Sequence, residues 1–120
     1  MKRLCVLVAG CCLLGVSHLS LAYDSRGARS CAGWQEYRRD EALGYSLNAE
    51  IYQTWLVGYL SGIVAGSGID FFAGTENELV FLMTDKFCSK NPQTNLAEAG
   101  TSVARELMLI KGIAHRPTLP

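Results

Sequence analysis

Two cysteines are the most chemically loaded pair in this chain. Of the five in its 120 residues, Cys5, Cys11 and Cys12 fall in an apolar N-terminal stretch, which leaves Cys31 and Cys88. In an oxidising compartment such a pair closes into one disulfide. A loop of this length then costs the unfolded chain roughly 4 kcal/mol of conformational freedom. Two buried thiols, or a bridge between chains, are the other outcomes. Neither cysteine has a second Cys or a His at ligand spacing, so a CxxC redox pair and a zinc centre are excluded.

Other reactive types are scarce. His115 lies close to a Pro-ended terminus where nothing holds it in register, a poor address for acid–base work. Ser61, in Gly58-Tyr59-Leu60-Ser61-Gly62, has Tyr59 where a nucleophile elbow needs glycine, and no base accompanies it. Asp40 with Glu41 reads as a solvated face and Glu76 with Glu78 as a helix start. Asp70 and Asp85 are the carboxylates to watch. For Asp85 a structural ion pair with Arg105 or Lys86 is expected over a glycosidase-like role. No phosphate loop and no metal set is present, so the expectation is no catalysis and no cofactor.

The elements that position these residues begin after an export signal. Met1-Lys2-Arg3 is followed by an uncharged stretch from Leu4 to Leu14 and by Ser20-Leu21-Ala22, the pattern of a secretory signal peptide cut after Ala22. The apolar run is too short for a membrane anchor, which needs about 20 residues. Leu7-Val8-Ala9-Gly10-Cys11 also resembles a bacterial lipobox, which would tether the chain to a membrane at Cys11. Removing the first 22 of 120 residues leaves 98, enough for one domain. It carries nine basic and eleven acidic residues once Lys2 and Arg3 have gone. A chain that acidic has no pull on nucleic acid. Arg26, Arg29, Arg38 and Arg39 read as a solvated face.

Residues 23–29 are polar and aperiodic, a flexible leader, and the helical domain is expected over 30–112. Ser30 caps a first helix from Cys31 to about Asp40, with Cys31, Trp34 and Tyr37 inward and Arg38, Arg39, Asp40 and Glu41 in water. After a break at Gly44 to Leu47, Asn48 caps a central helix from Ile51 to about Gly66. Ile51, Trp55, Tyr59 and Ile63 form one of its rows, and Gly58, Gly62 and Gly66 another. Each interior glycine costs a helix roughly 1 kcal/mol relative to alanine, so the row predicts close helix packing, inside the core or between copies.

Beyond it, Asp70, Phe71 and Phe72 are partner-binding candidates: adjacent phenylalanines cannot share one helical face, and an exposed aromatic anchors interfaces. The alternative folds both back over the core. Thr75-Glu76-Asn77-Glu78 has the capping-box arrangement for a third helix, with Leu79, Leu82, Met83 and Phe87 as its core face. Asn91-Pro92 stops it. Asn95 caps a fourth helix striped by Leu96, Ala99, Val103, Leu107 and Ile110, ended by Gly112. Residues 113–120 read as a loose tail. With no β alternation, the fold class is all-α, a small irregular four-helix domain with one disulfide.

Three segments together carry a resemblance: Ser30-Cys31-x-x-Trp34, Trp55-Leu56-x-Gly58-Tyr59-Leu60-Ser61-Gly62, and Phe87-Cys88-x-x-Asn91-Pro92. This layout resembles small bacterial secreted helical proteins related to the HdeA-like acid-stress chaperones and to the periplasmic immunity proteins against type VI secretion amidases. The first relationship implies a dimer that dissociates in acid and exposes apolar surface to unfolded clients. The second implies a protein, often dimeric, that plugs a toxin's cleft with a loop, here residues 69–75. The expectation is a periplasmic or secreted binding protein whose partner is a toxin, unfolded clients or a second copy. The alternatives are an accessory subunit of a cell-envelope enzyme and a protein lipidated at Cys11.

Overall fold

The structure, a computed structural model, describes residues 27–45 and 47–113. The signal-peptide reading of residues 1–22, the lipobox cysteine, most of the leader, His115 and the tail from residue 114 lie outside the described residues. Within them the chain forms four helices, α1 (Cys31–Ala42), α2 (Leu47–Ser67), α3 (Asn77–Lys90) and α4 (Leu96–Ile110). The expected all-α class is therefore found, with no strand among the described residues beyond a single bridge between Ser30 and Asn95.

Two helix starts follow directly from their cap residues. The Ser30 hydroxyl accepts from the Gly33 amide at 3.0 Å, and the Asn95 side-chain oxygen accepts from Ala97 and Glu98 at 2.9 and 3.1 Å. Each satisfies backbone donors that the first turn leaves without intrahelical partners. At the far end of α4, Gly112 takes φ +65°, and the Ile113 amide reaches back to the Met108 carbonyl at 2.9 Å. That left-handed closure is why glycine stands there.

Other starts differ from expectation. α2 begins at Leu47, so Asn48 lies inside it and is not its cap. α3 begins at Asn77 after Glu76, whose side chain makes no capping bond. Thr75 instead donates to the Phe71 carbonyl at 3.4 Å, and Glu78 is drawn away to Arg38, so no capping box forms.

The disulfide is present: Cys31 and Cys88 are joined with their Cα atoms 5.0 Å apart, both fully buried. Around it the backbone of the chain entering α1 is pinned to the α3–α4 connection. Cys31 donates to Thr94 and Leu96 donates to the Arg29 carbonyl, at 2.9 and 2.8 Å. The end of the expected flexible leader is thus tied down, because the Arg29 carbonyl accepts from Leu96, the first residue of α4.

The core is built from Trp34 of α1, Leu56 and Leu60 of α2, Phe71, Val80 and Phe81 from the loop and α3, and Leu96, Val103 and Leu107 of α4. α3 turns a different face inward than its leucines suggest. Val80, Phe81, Met83, Thr84 and Cys88 are buried, whereas Leu79 and Leu82 are about half exposed. The row through the bridged Cys88 sets that rotation. Ile110, expected in the α4 stripe, is mostly exposed, and Ala97, Gly100, Ala104 and Met108 take up the packing.

Close backbone approach occurs at glycines other than those expected. A Cβ placed on Gly100 would stand 2.9 Å from Cδ1 of Tyr59 and 3.3 Å from Leu56. The Tyr59 ring cannot yield easily, since it stacks on Trp55 and its hydroxyl bonds Thr101 at 2.9 Å. Gly100→Ala is therefore expected to lower stability by about 1 kcal/mol net, overpacking outweighing the gain in helix propensity. Urea unfolding of the single variant checks this.

Candidate functional site

Two features of the surface are not accounted for by core packing alone. The first is a charged cluster between α1 and α3. Arg38 lies four residues after Trp34, on the same face of α1, and its guanidinium passes over the Trp34 and Phe81 rings at 5.9 and 5.8 Å. It donates to Asp85 at 3.0–3.3 Å, to Glu41 at 2.6 Å and to Glu78 at 2.9 Å. Asp85 also accepts from the indole nitrogen of the fully buried Trp34 at 2.6 Å. Gln53 of α2 donates to both oxygens of Glu41 at 2.9 and 3.0 Å.

This corrects two expectations. Arg38 does not face water but is largely covered, and Asp85 pairs with Arg38 instead of Arg105 or Lys86. Lys86 reaches Glu106, at 3.9 Å. The physical reason is the spacing: Asp85 stands four residues from Phe81 and three from Cys88, on the inner face of α3. Burial works against the Arg38 charge, but the bonds from Asp85, Glu78 and Glu41 outweigh it and raise its pKa above the ordinary arginine value. Glu41 is held below the usual carboxylate range, first by the Gln53 amide and then by Arg38, against the opposing effect of burial.

A folded-state pKa below the unfolded one contributes stability at neutral pH that is lost as pH falls through the depressed value. The urea midpoint is therefore expected to hold steady from pH 7 to about 5, then fall below the ordinary value of 4.5 for Glu41. Gln53→Leu is expected to shrink that fall, because Glu41 then titrates closer to its unfolded value. A pH series on both proteins checks it.

The second feature is the outer face of α2. Its single charge is Glu50. Around the helix, the sector holding Leu47, Ile51, Thr54, Gly58, Ser61 and Ala65 is exposed throughout, and Ala49, Leu56 and Leu60 are buried on the opposite side. Leu47 is 75% and Ile51 50% exposed, and Leu43 and Tyr45, each about three-quarters exposed, extend the apolar surface toward α1. Beside it runs a shallow groove of Gly27, Arg29, Leu47, Glu50, Ile51, Thr54 and Trp55.

Of the two readings of the Gly58, Gly62 and Gly66 row, packing inside the core is not the one found. Among the described residues a Cβ on any of them would meet nothing within 4 Å, because this row lies on the outer side of α2. The row of Ile51, Trp55, Tyr59 and Ile63 is not a single face either. Steps of four drift about 40° each, carrying the row from solvent at Ile51 to the core at Ile63.

The partner-binding candidates also change role. Phe71 is fully buried and Phe72 packs against the core, with their ring centroids 5.2 Å apart. Asp70 is spent locally, accepting from the Phe72 and Ala73 amides at 3.1 and 3.0 Å. Lys111 holds the same loop by donating to the Ala73 carbonyl. The alternative in which both rings fold back is the one observed, so no aromatic anchor projects from residues 69–75. Ser61 donates to the Val57 carbonyl at 2.7 Å, in its own helix.

Among the described residues no group of three or more His, Cys, Asp or Glu is arranged to hold a metal ion. No described helix is long and apolar enough to cross a membrane. Comparison with protein-family models, with curated proteins and with solved structures yields no match.

Proposed function

We propose that this chain is an exported, non-catalytic binding protein that engages another protein through the outer face of α2. The observation that carries the reading is the composition of that face. A helix face turned to water is normally filled with Glu, Lys, Gln or Arg, which favour both helix and solvent. Here it carries Leu47 and Ile51 followed by Gly58, Gly62 and Gly66, which weaken the helix and meet no packing partner among the described residues. Export agrees with the charged-then-apolar N-terminal sequence and with a disulfide, a bond that persists in oxidising compartments.

The two specific versions are an immunity-like inhibitor of a secreted toxin and an HdeA-like acid-stress chaperone. The loop at residues 69–75 gives the first little support, since its phenylalanines are turned inward. The Arg38 cluster favours the second. Glu78 and Asp85 of α3 hold α1 through Arg38, and Glu41 of α1 ties Arg38 to Gln53 of α2. Loss of the Glu41 charge in acid would therefore weaken the network around a largely covered cation over Trp34 and Phe81.

A photo-crosslinking residue at Thr54, in the centre of the face, tests the reading in living cells, with the same residue at the exposed Glu98 of α4 as control. Protein adducts are expected from Thr54 and not from Glu98. One discrete adduct at neutral pH would mark an inhibitor of a single toxin. Many adducts appearing only in acid would mark a chaperone. Equal labelling from both positions would refute the α2 face as the binding surface.

A further inference from the structure

We propose that the groove between Arg29 and α2 binds a short apolar peptide with both chain ends free, its carboxylate meeting Arg29 and its ammonium meeting Glu50. The inference goes beyond the protein-binding reading of the α2 face, because it needs no protein partner and stands on Arg29 and Trp55, which lie outside that face.

Elsewhere on the surface, groups that could hold a ligand are already taken. In the groove of Arg38, Glu41, Glu78 and Asp85, the arginine and its three carboxylates neutralise one another. In the groove of Gln53, Val57, Asn77 and Phe81, the Gln53 amide is held by Glu41. The groove beside α2 differs. The Arg29 guanidinium, Glu50 carboxylate, Thr54 hydroxyl and Trp55 indole nitrogen belong to its lining, and among the described residues none has a hydrogen-bond or ion-pair partner. Leu47, Ile51 and the Trp55 ring make the rest of the lining apolar. A concave apolar surface with a few convergent polar groups is what a small-molecule site requires, and the volume of about 590 Å³ falls within the range of about 300–1,000 Å³.

Both walls are held in place by the fold. The Arg29 carbonyl accepts from the Leu96 amide at 2.8 Å, and Cys31, two residues on, is locked by the disulfide. The Arg29 side chain lies over the Tyr52 ring at 5.7 Å, which orients its charge. A Cβ on Gly27 would stand 3.4 Å from the Trp55 indole nitrogen, so glycine there lets the chain pass close to α2 without covering that donor. On the other wall Glu50 and Thr54 are one turn apart, beside Leu47 and Ile51.

Charge selects the occupant. Arg29 and Glu50 come from different walls and carry opposite signs, so a ligand with one charge leaves the other group unmatched. An apolar peptide with free ends supplies both complements and lays its side chains on Leu47, Ile51 and Trp55. Both charges are exposed, so each adds a small factor and the binding belongs to the millimolar class.

Titration of the isotope-labelled, processed and oxidised protein with leucyl-leucine, to about 20 mM, tests this at the two tryptophan indole N–H signals. The Trp55 signal is expected to move saturably, whereas that of Trp34, buried and bonded to Asp85, stays in place and reports an intact fold. Acetylating the amine or amidating the carboxylate is expected to weaken binding about two- to fivefold each. Arg29→Gln should then bind the free and amidated peptides alike, and Glu50→Gln the free and acetylated ones alike. A Trp55 signal that never moves overturns the site, as does a doubly capped peptide that binds as tightly as the free one. A signal that follows protein concentration and not peptide marks a second copy, and one that follows removal of residues 23–26 and not peptide marks the chain's own leader. Either overturns the proposal. All of these failures leave Thr54 cross-linking to foreign proteins untouched, so the two readings fail separately.

Discussion

Replacing both Cys31 and Cys88 by alanine lowers the unfolding free energy by about 4 kcal/mol, the largest effect expected of any substitution in this fold. The bridge spans a sequence separation of 57, and in the chain-entropy account closing such a loop removes about that much freedom from the unfolded state. For a domain of this size, total stability is of the order of 5–13 kcal/mol, so the loss is about three-tenths of the whole or more. The thermal midpoint should fall by more than about 15 °C. The site makes the native state sensitive too. Both cysteines are fully buried, and the backbone pairing of Cys31 with Thr94 and of Leu96 with Arg29 surrounds them. Urea unfolding of the double-alanine variant, beside the oxidised parent, measures the difference without free thiols that reshuffle. A loss under 1 kcal/mol would mean that packing around Trp34 and Cys31 holds α1 without the bridge.

Asp85→Ala is expected to cost about 2 kcal/mol, second only to the bridge. Its carboxylate is the partner of the Trp34 indole nitrogen at 2.6 Å and of the Arg38 guanidinium at 3.0 Å. Trp34 is wholly buried in the folded chain, so removing the acceptor takes away the protein partner of its N–H. The ion pair itself adds less, because the Asp85 side chain is 34% exposed and solvent screens it. Asp85→Asn keeps an oxygen for the indole and loses the charge, and should recover at least half of the deficit. Arg38→Met, which keeps the apolar stem over Trp34 and Phe81, isolates the charge from the other side. If Asp85→Asn proves as damaging as Asp85→Ala, the ion pair and not the indole bond holds α1 to α3.

Much of the fold was legible because some residues permit only one local outcome. Ser30 and Asn95 stand at helix starts and cap them, Gly112 closes α4, and two remaining cysteines can form only one internal bridge. Rotation of the middle helices was not legible. α2 is apolar on every side, so no row of its residues stands out as the inner one, and the steps of four from Ile51 to Ile63 wind from water to core. α3 carries two apolar rows, and its leucines lie on the outer one. Counting back from Cys88 by four, seven and eight finds Thr84, Phe81 and Val80, the row that is buried. The Arg38 cluster was hidden by its charge. Its spacing of four from Trp34, and the place of Asp85 between Phe81 and Cys88, were the available signals.

The glycine row reads as a place of close helix packing, and among the described residues nothing approaches it. Three glycines four residues apart leave room for another backbone beside α2. In the core the close approach occurs elsewhere, at Gly33 beside Tyr52 and at Gly100 beside Tyr59. What stays open is the outer side.

The most direct measurement pairs stability with binding in the double variant Ile51→Lys/Ala65→Lys. Both positions are exposed, so the unfolding free energy should stay within about 0.5 kcal/mol of the parent. The yield of cross-linked protein from a photo-reactive residue at Thr54 should at the same time fall at least tenfold. An undiminished yield at unchanged stability would contradict the account, because the face would then be solvated surface that no partner uses.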